Sequence, residues 1–361
     1  MGAPGRILMT ADAVGGVWRY ALELAGALDA EVVLAVLGPA PDAGQRAEAE
    51  ALPGLRLVET GLPLDWLSGG PAPVLAAGAA VARLAREVGA DVVHLNSPAL
   101  AVGDFGAPVI AVNHGCLGTW WDAAGKGAVD PGLAWLPDLV GQGLRSADRT
   151  VAPTRAYAEA VARCYALNVV PTAVHNGRGA MPLPDAAPFP GALTVGRLWD
   201  EVKGTDTLDA AAARLDAPFV AIGATRAPHG ATVAPRHLQT TGPLPEAELA
   251  GWLSRRPVFA SAARFEPFGL AVLEAAQAGC PLVLSDIPTF RELWEGAATF
   301  VAAGDADGFA AAIAALLADP VRHAANGAAA QARAARYTPA ATAAGMSAIY
   351  RDALDPRQDA A

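Results

Sequence analysis

Cysteine is scarce in this sequence: the 361 residues hold three, Cys116, Cys164 and Cys280, far apart and in no CxxC pair. That spacing argues against a disulfide framework and against a cysteine zinc site, and it fits a reducing cytoplasm. Positive charge is also in short supply. With 26 Lys and Arg against 36 Asp and Glu the formal net charge is -10, which opposes general attraction to nucleic acid or to an anionic membrane surface. An anionic ligand therefore has to be met locally. No basic start precedes a long apolar run, and later apolar stretches are broken by Gly, Pro or charge. Neither a signal peptide nor a transmembrane segment is expected. The GxGxxG fingerprint is missing as well, which counts against a nicotinamide or flavin dehydrogenase.

What is present is core material. Hydrophobic residues make up 53% and charged residues 17%, enough for compact folding, and the length gives a prior of about two domains. Short apolar runs at Arg6–Thr10, Glu31–Leu37, Asp91–Leu95 and Pro108–Val112 read as strands buried on both faces. Helical patterns at Trp18–Ala27, Val74–Val88, Leu133–Ser146 and Thr154–Tyr165 separate them, the last opening on a threonine suited to capping. The alternation predicts a parallel α/β sheet.

Residues 178–191 follow Gly177 with four prolines, as expected of a linker. A second series follows: strands near Leu193–Val195, Phe219–Ile222, Val258–Ala260 and Pro281–Leu284, and helices near Thr205–Arg214, Glu246–Ser254, Phe268–Ala278 and Asp307–Leu317. The expected organisation is an N-terminal domain over 1–177, a linker over 178–191 and a C-terminal domain over 192–337. The tail after Asp355 reads as frayed.

Three segments carry candidate chemistry. After the first strand, ADAVGGVWRYALELA sets Gly15 and Gly16 before a helix, where backbone N–H groups and the positive helix end can meet an anion. A tight turn chosen for geometry is the plainer explanation of such a pair. VGRLWDEVKG puts Arg197 and Lys203 after a strand, a planar fork and a point charge suited to a diphosphate; pairing with Asp200 and Glu201 is the alternative. ARFEPFGLAVLEAAQAGCPLVLSD sets Glu266 before a helix and Glu274 slightly over two turns later, so both carboxylates can face one ligand. The N–H groups of Gly269 and Leu270, following Phe268, can meet a phosphate there.

Taken together, EPFGLAVLEAAQAGCPLV resembles the E-x7-E segment of the retaining family 4 (group 1) glycosyltransferases, and VGRLWDEVKG resembles that family's donor loop. The resemblance runs in order through the VGG loop, VNHG at 112–115, VHNG at 174–177 and the ending YTPAATAAGMSAIYRDAL. It implies a GT-B fold: two Rossmann-like, doubly wound parallel-sheet domains facing a central cleft, with the final helix, 340–355, crossing back to the N-terminal domain. It implies a retaining hexosyltransferase taking a sugar from a UDP- or GDP-linked donor, independent of metal and of any other cofactor. Arg197 and Lys203 would bind the diphosphate, Glu266 the donor-sugar hydroxyls, Glu274 the ribose, Gly16 the phosphates, and His114 would approach the transferred sugar. Retention would proceed on the front face, the departing phosphate helping to deprotonate the acceptor.

The acceptor is expected to be a carbohydrate, lipid-linked or small molecule, and Trp120 and Trp121 are candidates to stack on it. Departures from the family pattern stand at Ala263, Arg178, Gly179, Pro288 and Thr289. Glu292 matches a common glutamate, or serves a helix start. Asp305 and Asp307 form a DxD pair read as helix-capping. Alternatives are an epimerase or phosphorylase on the same fold, or a non-catalytic carbohydrate-binding partner.

Overall fold

A computed structural model describes residues 4–228 and 230–355, so the expectation for the tail lies outside the described residues. In chain order the first elements are β1 (Arg6–Asp12), α1 (Gly16–Ala27), β2 (Glu31–Leu37), α2 (Ala43–Glu50), β3 (Leu55–Glu59), α3 (Pro71–Val88), β4 (Val92–Leu95), β5 (Val109–Val112), α4 (Leu117–Ala124), α5 (Trp135–Ser146), β6 (Arg149–Ala152), α6 (Arg155–Cys164) and β7 (Thr172–Ala173). Then come β8 (Ala192–Val195), α7 (Thr205–Ala212), β9 (Phe219–Ile222), β10 (Gln239–Gly242), α8 (Glu246–Ser254), β11 (Val258–Ser261), α9 (Leu270–Gln277), β12 (Leu282–Ser285), α10 (Pro288–Trp294), β13 (Thr299–Val301), α11 (Ala306–Ala318), α12 (Pro320–Ala334) and α13 (Pro339–Ala353). Two compact units result: the first runs through Gly177 and includes the residues from Thr338 on, and the second is Arg178–Tyr337.

The first unit is a seven-stranded parallel sheet in the order β3-β2-β1-β4-β5-β6-β7. Every residue of β4 and β5 is buried, which is why these strands read as unbroken apolar runs. α13 belongs to this unit: Met346, Ile349 and Tyr350 enter one core with Ile7, Trp18 and Leu34. α6 starts one residue after Thr154, whose side chain accepts from the Tyr157 N–H as an N-cap, worth about 1 kcal/mol.

The second unit is a six-stranded parallel sheet in the order β10-β9-β8-β11-β12-β13. Its core includes Phe259, Leu273, Phe290 and Trp294, each 1% exposed or less. Residues 178–191 form neither helix nor strand, yet they are held to this unit. The Arg178 N–H donates to Tyr337 O at 3.2 Å, the Phe189 N–H donates to Arg255 O at 2.8 Å, and Met181 is buried in the core. α9 begins at Leu270, two residues later than the sequence pattern predicts, because Gly269 sits at φ +90°, outside helical space.

Candidate functional site

Both sheets change direction at one place, between β1 and β4 in the first unit and between β8 and β11 in the second. In doubly wound sheets the crevice outside the carboxyl ends at such a switch point is where ligands bind. Gly15 and Gly16 follow β1 at the first of these, and Arg197, Lys203 and Glu266 follow β8 and β11 at the second.

In the second unit the loop after β8 carries Arg197 and Lys203, and the loop after β11 carries Glu266. Lys203 Nζ donates to Glu266 Oε2 at 2.6 Å, joining the two loops; the side chains are 20% and 18% exposed. Arg197 pairs with buried Asp200 at 2.9 Å and lies over the Trp199 ring. The pairing of loop charges with their own loop therefore holds for Arg197, whereas Lys203 reaches across to β11. The Arg264 N–H donates to Val202 O at 2.8 Å, a second tie between the loops. Their approach depends on Gly204, at φ +70°, where a Cβ would lie 2.2 Å from Ala262 O.

α9 has Gly269 as its N-cap, without a side-chain cap. Glu266 and Glu274 lie either side of this helix start but keep different company. Glu274 accepts from Arg178 Nε at 3.0 Å, and Arg178 Nη2 donates to Glu246 of α8 at 2.7 Å. Arg178 is 6% exposed, and its carbonyl accepts from Gln277 Nε2. The departure at Arg178 thus has a physical account: it supplies a cation to the second glutamate of the E-x7-E segment. Ala263 is fully buried in the core of the second unit. Pro288 opens α10, so the departure there starts a helix. Glu292 is the fifth residue of α10, not its start as one alternative had it. Asp305 caps α11 by accepting from the Gly308 N–H at 2.9 Å, and Asp307 pairs with Arg214. Among the described residues no three His, Cys, Asp or Glu side chains gather as metal ligands would.

In the first unit, Gly15 is the N-cap of α1 with φ -152°, an extended conformation open to other residues, and a Cβ there would meet nothing within 4 Å. Neither a left-handed turn nor a packing clash calls for glycine at that point, and glycine is among the residues favoured at an N-cap. Gly16 is the first residue of the helix.

His114, after β5, is partly exposed, and its ring nitrogen partner is a side chain rather than the neighbouring backbone: Nε2 lies 2.7 Å from Asn96 Oδ1. His94 Nε2 lies 3.0 Å from the same oxygen, and His94 Nδ1 lies 2.7 Å from the Tyr350 hydroxyl of α13. Burial pushes His94 down to about 4, and burial together with His94 holds His114 well below its usual range. Next in sequence, Ser97 Oγ donates to Asp65 Oδ2 at 2.7 Å; burial raises the Asp65 carboxyl, against the pull of that bond. His94, Asn96, Ser97, Asp65 and Tyr350 were not singled out from the sequence. A histidine inside an apolar strand followed by a polar pair at its carboxyl end, VVHLNS, was the available signal.

Trp120 and Trp121 stand on α4, with Lys126 Nζ over their rings at 4.9 and 5.4 Å. Burial raises the Cys164 and Cys280 thiols to about 12, and all three cysteines are free. Among the described residues no helix is long and apolar enough to cross a membrane.

Residues 14–178 match the Glycosyltransferase Family 4 model and residues 190–319 match the Glycosyl transferases group 1 model. A D-inositol 3-phosphate glycosyltransferase of Thermobispora bispora is 35% identical over 115 residues, 31% of this chain and 27% of that protein, so the likeness takes in about a quarter of the relative's length. In fold, the chain is similar to sucrose-phosphate synthase of Thermosynechococcus elongatus, with TM-score 0.77 and 19% identity over 96% of this chain and 98% of the other. The Anabaena protein HepE, solved with UDP and glucose, gives TM-score 0.73 and 16% identity over 96% and 99% of the two chains. Two adjoining family matches and a shared two-sheet architecture place this chain in the family 4 (group 1) glycosyltransferases, with the GT-B fold.

Proposed function

We propose that the chain transfers a sugar from a nucleoside diphosphate donor, UDP- or GDP-linked, to an acceptor hydroxyl with retention and without a metal. The observation that carries this is the Lys203–Glu266 pair at the β8/β11 switch point, next to Arg197 and ahead of the α9 N-terminus. Breaking the sugar–phosphate bond puts negative charge on the departing diphosphate. Lys203, Arg197 and the N–H groups at Gly269 and Leu270 are of the right kind to receive it, while Glu266 is suited to accept from sugar hydroxyls. HepE, similar in fold, was solved in complex with UDP and glucose, which supports a nucleotide-linked donor here. Glu274 is assigned to the ribose and Gly15 and Gly16 to the phosphates.

The acceptor reading is sharpened by charge. The loops after β2, β3 and β4, residues 38–42, 60–70 and 96–108, hold Asp42, Asp65 and Asp104 and no Lys or Arg. Such an edge favours an uncharged polyol or sugar over a phosphorylated acceptor.

Thermal shift against a panel of nucleotide sugars, followed by transfer assays with the best donor, tests the proposal. Lys203→Ala and Glu266→Ala are each expected to lower transfer about 100- to 1,000-fold, the usual effect of deleting one preorganised charge-stabilising group, with folding retained. Near-normal turnover in either purified variant contradicts these assignments.

A further inference from the structure

The partly buried polar cluster of the first unit has a feature that its parts do not show singly: two imidazoles share one acceptor atom. Asn96 is oriented without ambiguity. Its Nδ2 donates to Thr10 O at 2.7 Å, so the atom facing the two rings is Oδ1. The Asn96 N–H also donates to Thr10 Oγ1 at 3.0 Å, which anchors the residue to β1 at both ends. A carbonyl oxygen only accepts. His114 Nε2, at 2.7 Å, and His94 Nε2, at 3.0 Å, therefore both carry hydrogen and both donate to it. In neutral His94 the remaining nitrogen, Nδ1, accepts from the Tyr350 hydroxyl at 2.7 Å.

The surroundings keep the pair uncharged. The titratable groups facing them are Tyr20 of α1, whose ring centroid is 4.3 Å from that of His114, and Tyr350 of α13. Burial raises both phenols, so they stay neutral. No carboxylate is among the groups that act on either ring in the described residues. Two cationic imidazoles on one neutral oxygen would also repel each other.

We propose that Asn96 is a positioning residue that locks His114 as the neutral Nε2–H tautomer, so that His114 offers substrate a lone pair at Nδ1 and acts as a hydrogen-bond acceptor, never as an acid, near neutral pH. The use of His114 by substrate rests on the transfer reading; the Nε2 hydrogen rests on the geometry, and the bare Nδ1 on the uncharged surroundings. His94 and Tyr350 complete the lock. His94 holds Oδ1 from its second side, and Tyr350 keeps the His94 hydrogen on Nε2.

Nitrogen-15 spectra of histidine-labelled protein decide the tautomer without any substrate, with His114→Gln assigning its signals among the six histidines. Between about pH 5 and about pH 8, the range in which histidine ordinarily titrates, His114 and His94 are expected to keep one protonated and one bare ring nitrogen each, the bare one being Nδ1. A His114 that titrates in that range, or that carries its hydrogen on Nδ1, overturns the lock. Asn96→Asp then tests the positioning role. A carboxylate between the rings should draw both into the charged form near neutral pH, and transfer should fall about tenfold per pH unit below the new ionisation while the wild-type profile shows no such limb. Asn96→Ala should give mixed tautomers. Unchanged spectra in both variants contradict Asn96 as the lock, and if neither variant folds the wild-type spectra alone decide. Wild-type spectra as expected but no transfer with any donor would sink the transfer reading and leave the tautomer assignment standing.

Discussion

The two units share a strand plan around the switch point and set out opposite chemistry there. At β8/β11 the second unit sets out charges already paired, Lys203 with Glu266 and Arg197 with Asp200. At β1/β4 the first unit sets out a neutral net in which Asn96 serves two histidines. The difference follows from what each crevice is proposed to bind. A diphosphate needs cations, and cations held near neutralising carboxylates are kept in place without leaving an uncompensated buried charge. A neutral sugar or acceptor hydroxyl needs fixed donors and acceptors, and a buried net of hydrogen bonds fixes them.

The largest expected effect concerns the ion pairs. Arg178 is 6% exposed and pairs with Glu274, itself 13% exposed. Arg178→Ala should cost about 3 to 5 kcal/mol of stability, because it removes the buried cation that Glu274 and Glu246 both pair with. A urea-unfolding midpoint close to wild type would show that the pairing does not hold the second unit together.

A smaller effect distinguishes the neutral net. His94 has its folded-state value lowered to about 4 from 6.5, so below 6.5 the unfolded chain binds more protons and stability falls with pH until about 4. The expected loss between neutral pH and about pH 4.5 is on the order of 1 to 3 kcal/mol from this residue. His94→Gln should flatten that part of the pH–stability curve; an unchanged slope would mean that His94 is charged in the folded protein. The smallest effect is at Gly15, where a Cβ meets nothing within 4 Å. Gly15→Ala should change stability by no more than about 0.5 kcal/mol while weakening donor binding, and equal loss of both would return Gly15 to a purely structural role.

Much of this could be read beforehand where the signal is local. Strands β2 and β9 and helix α8 fall where the apolar pattern put them, since burial on both faces or on one stripe writes itself into consecutive residues. β10, QTTG, was missed because an exposed edge strand carries no apolar run. α12 was missed although Asp319 and Pro320 mark its start, because it follows α11 without a loop. The Lys203–Glu266 crevice was legible through motif spacing. The Arg178–Glu274 pair and the His94–Tyr350 bond were not, as their partners lie 96 and 256 residues apart and only the folded sheet brings them together.

Equilibrium titration of UDP and GDP against wild type and Lys203→Ala tests most directly whether the charged edge of the second unit holds a diphosphate. Tight binding by wild type of one nucleotide, weakened at least about tenfold in the variant and further weakened by salt, is the predicted result. Equal affinity of both proteins for the same nucleotide would contradict it.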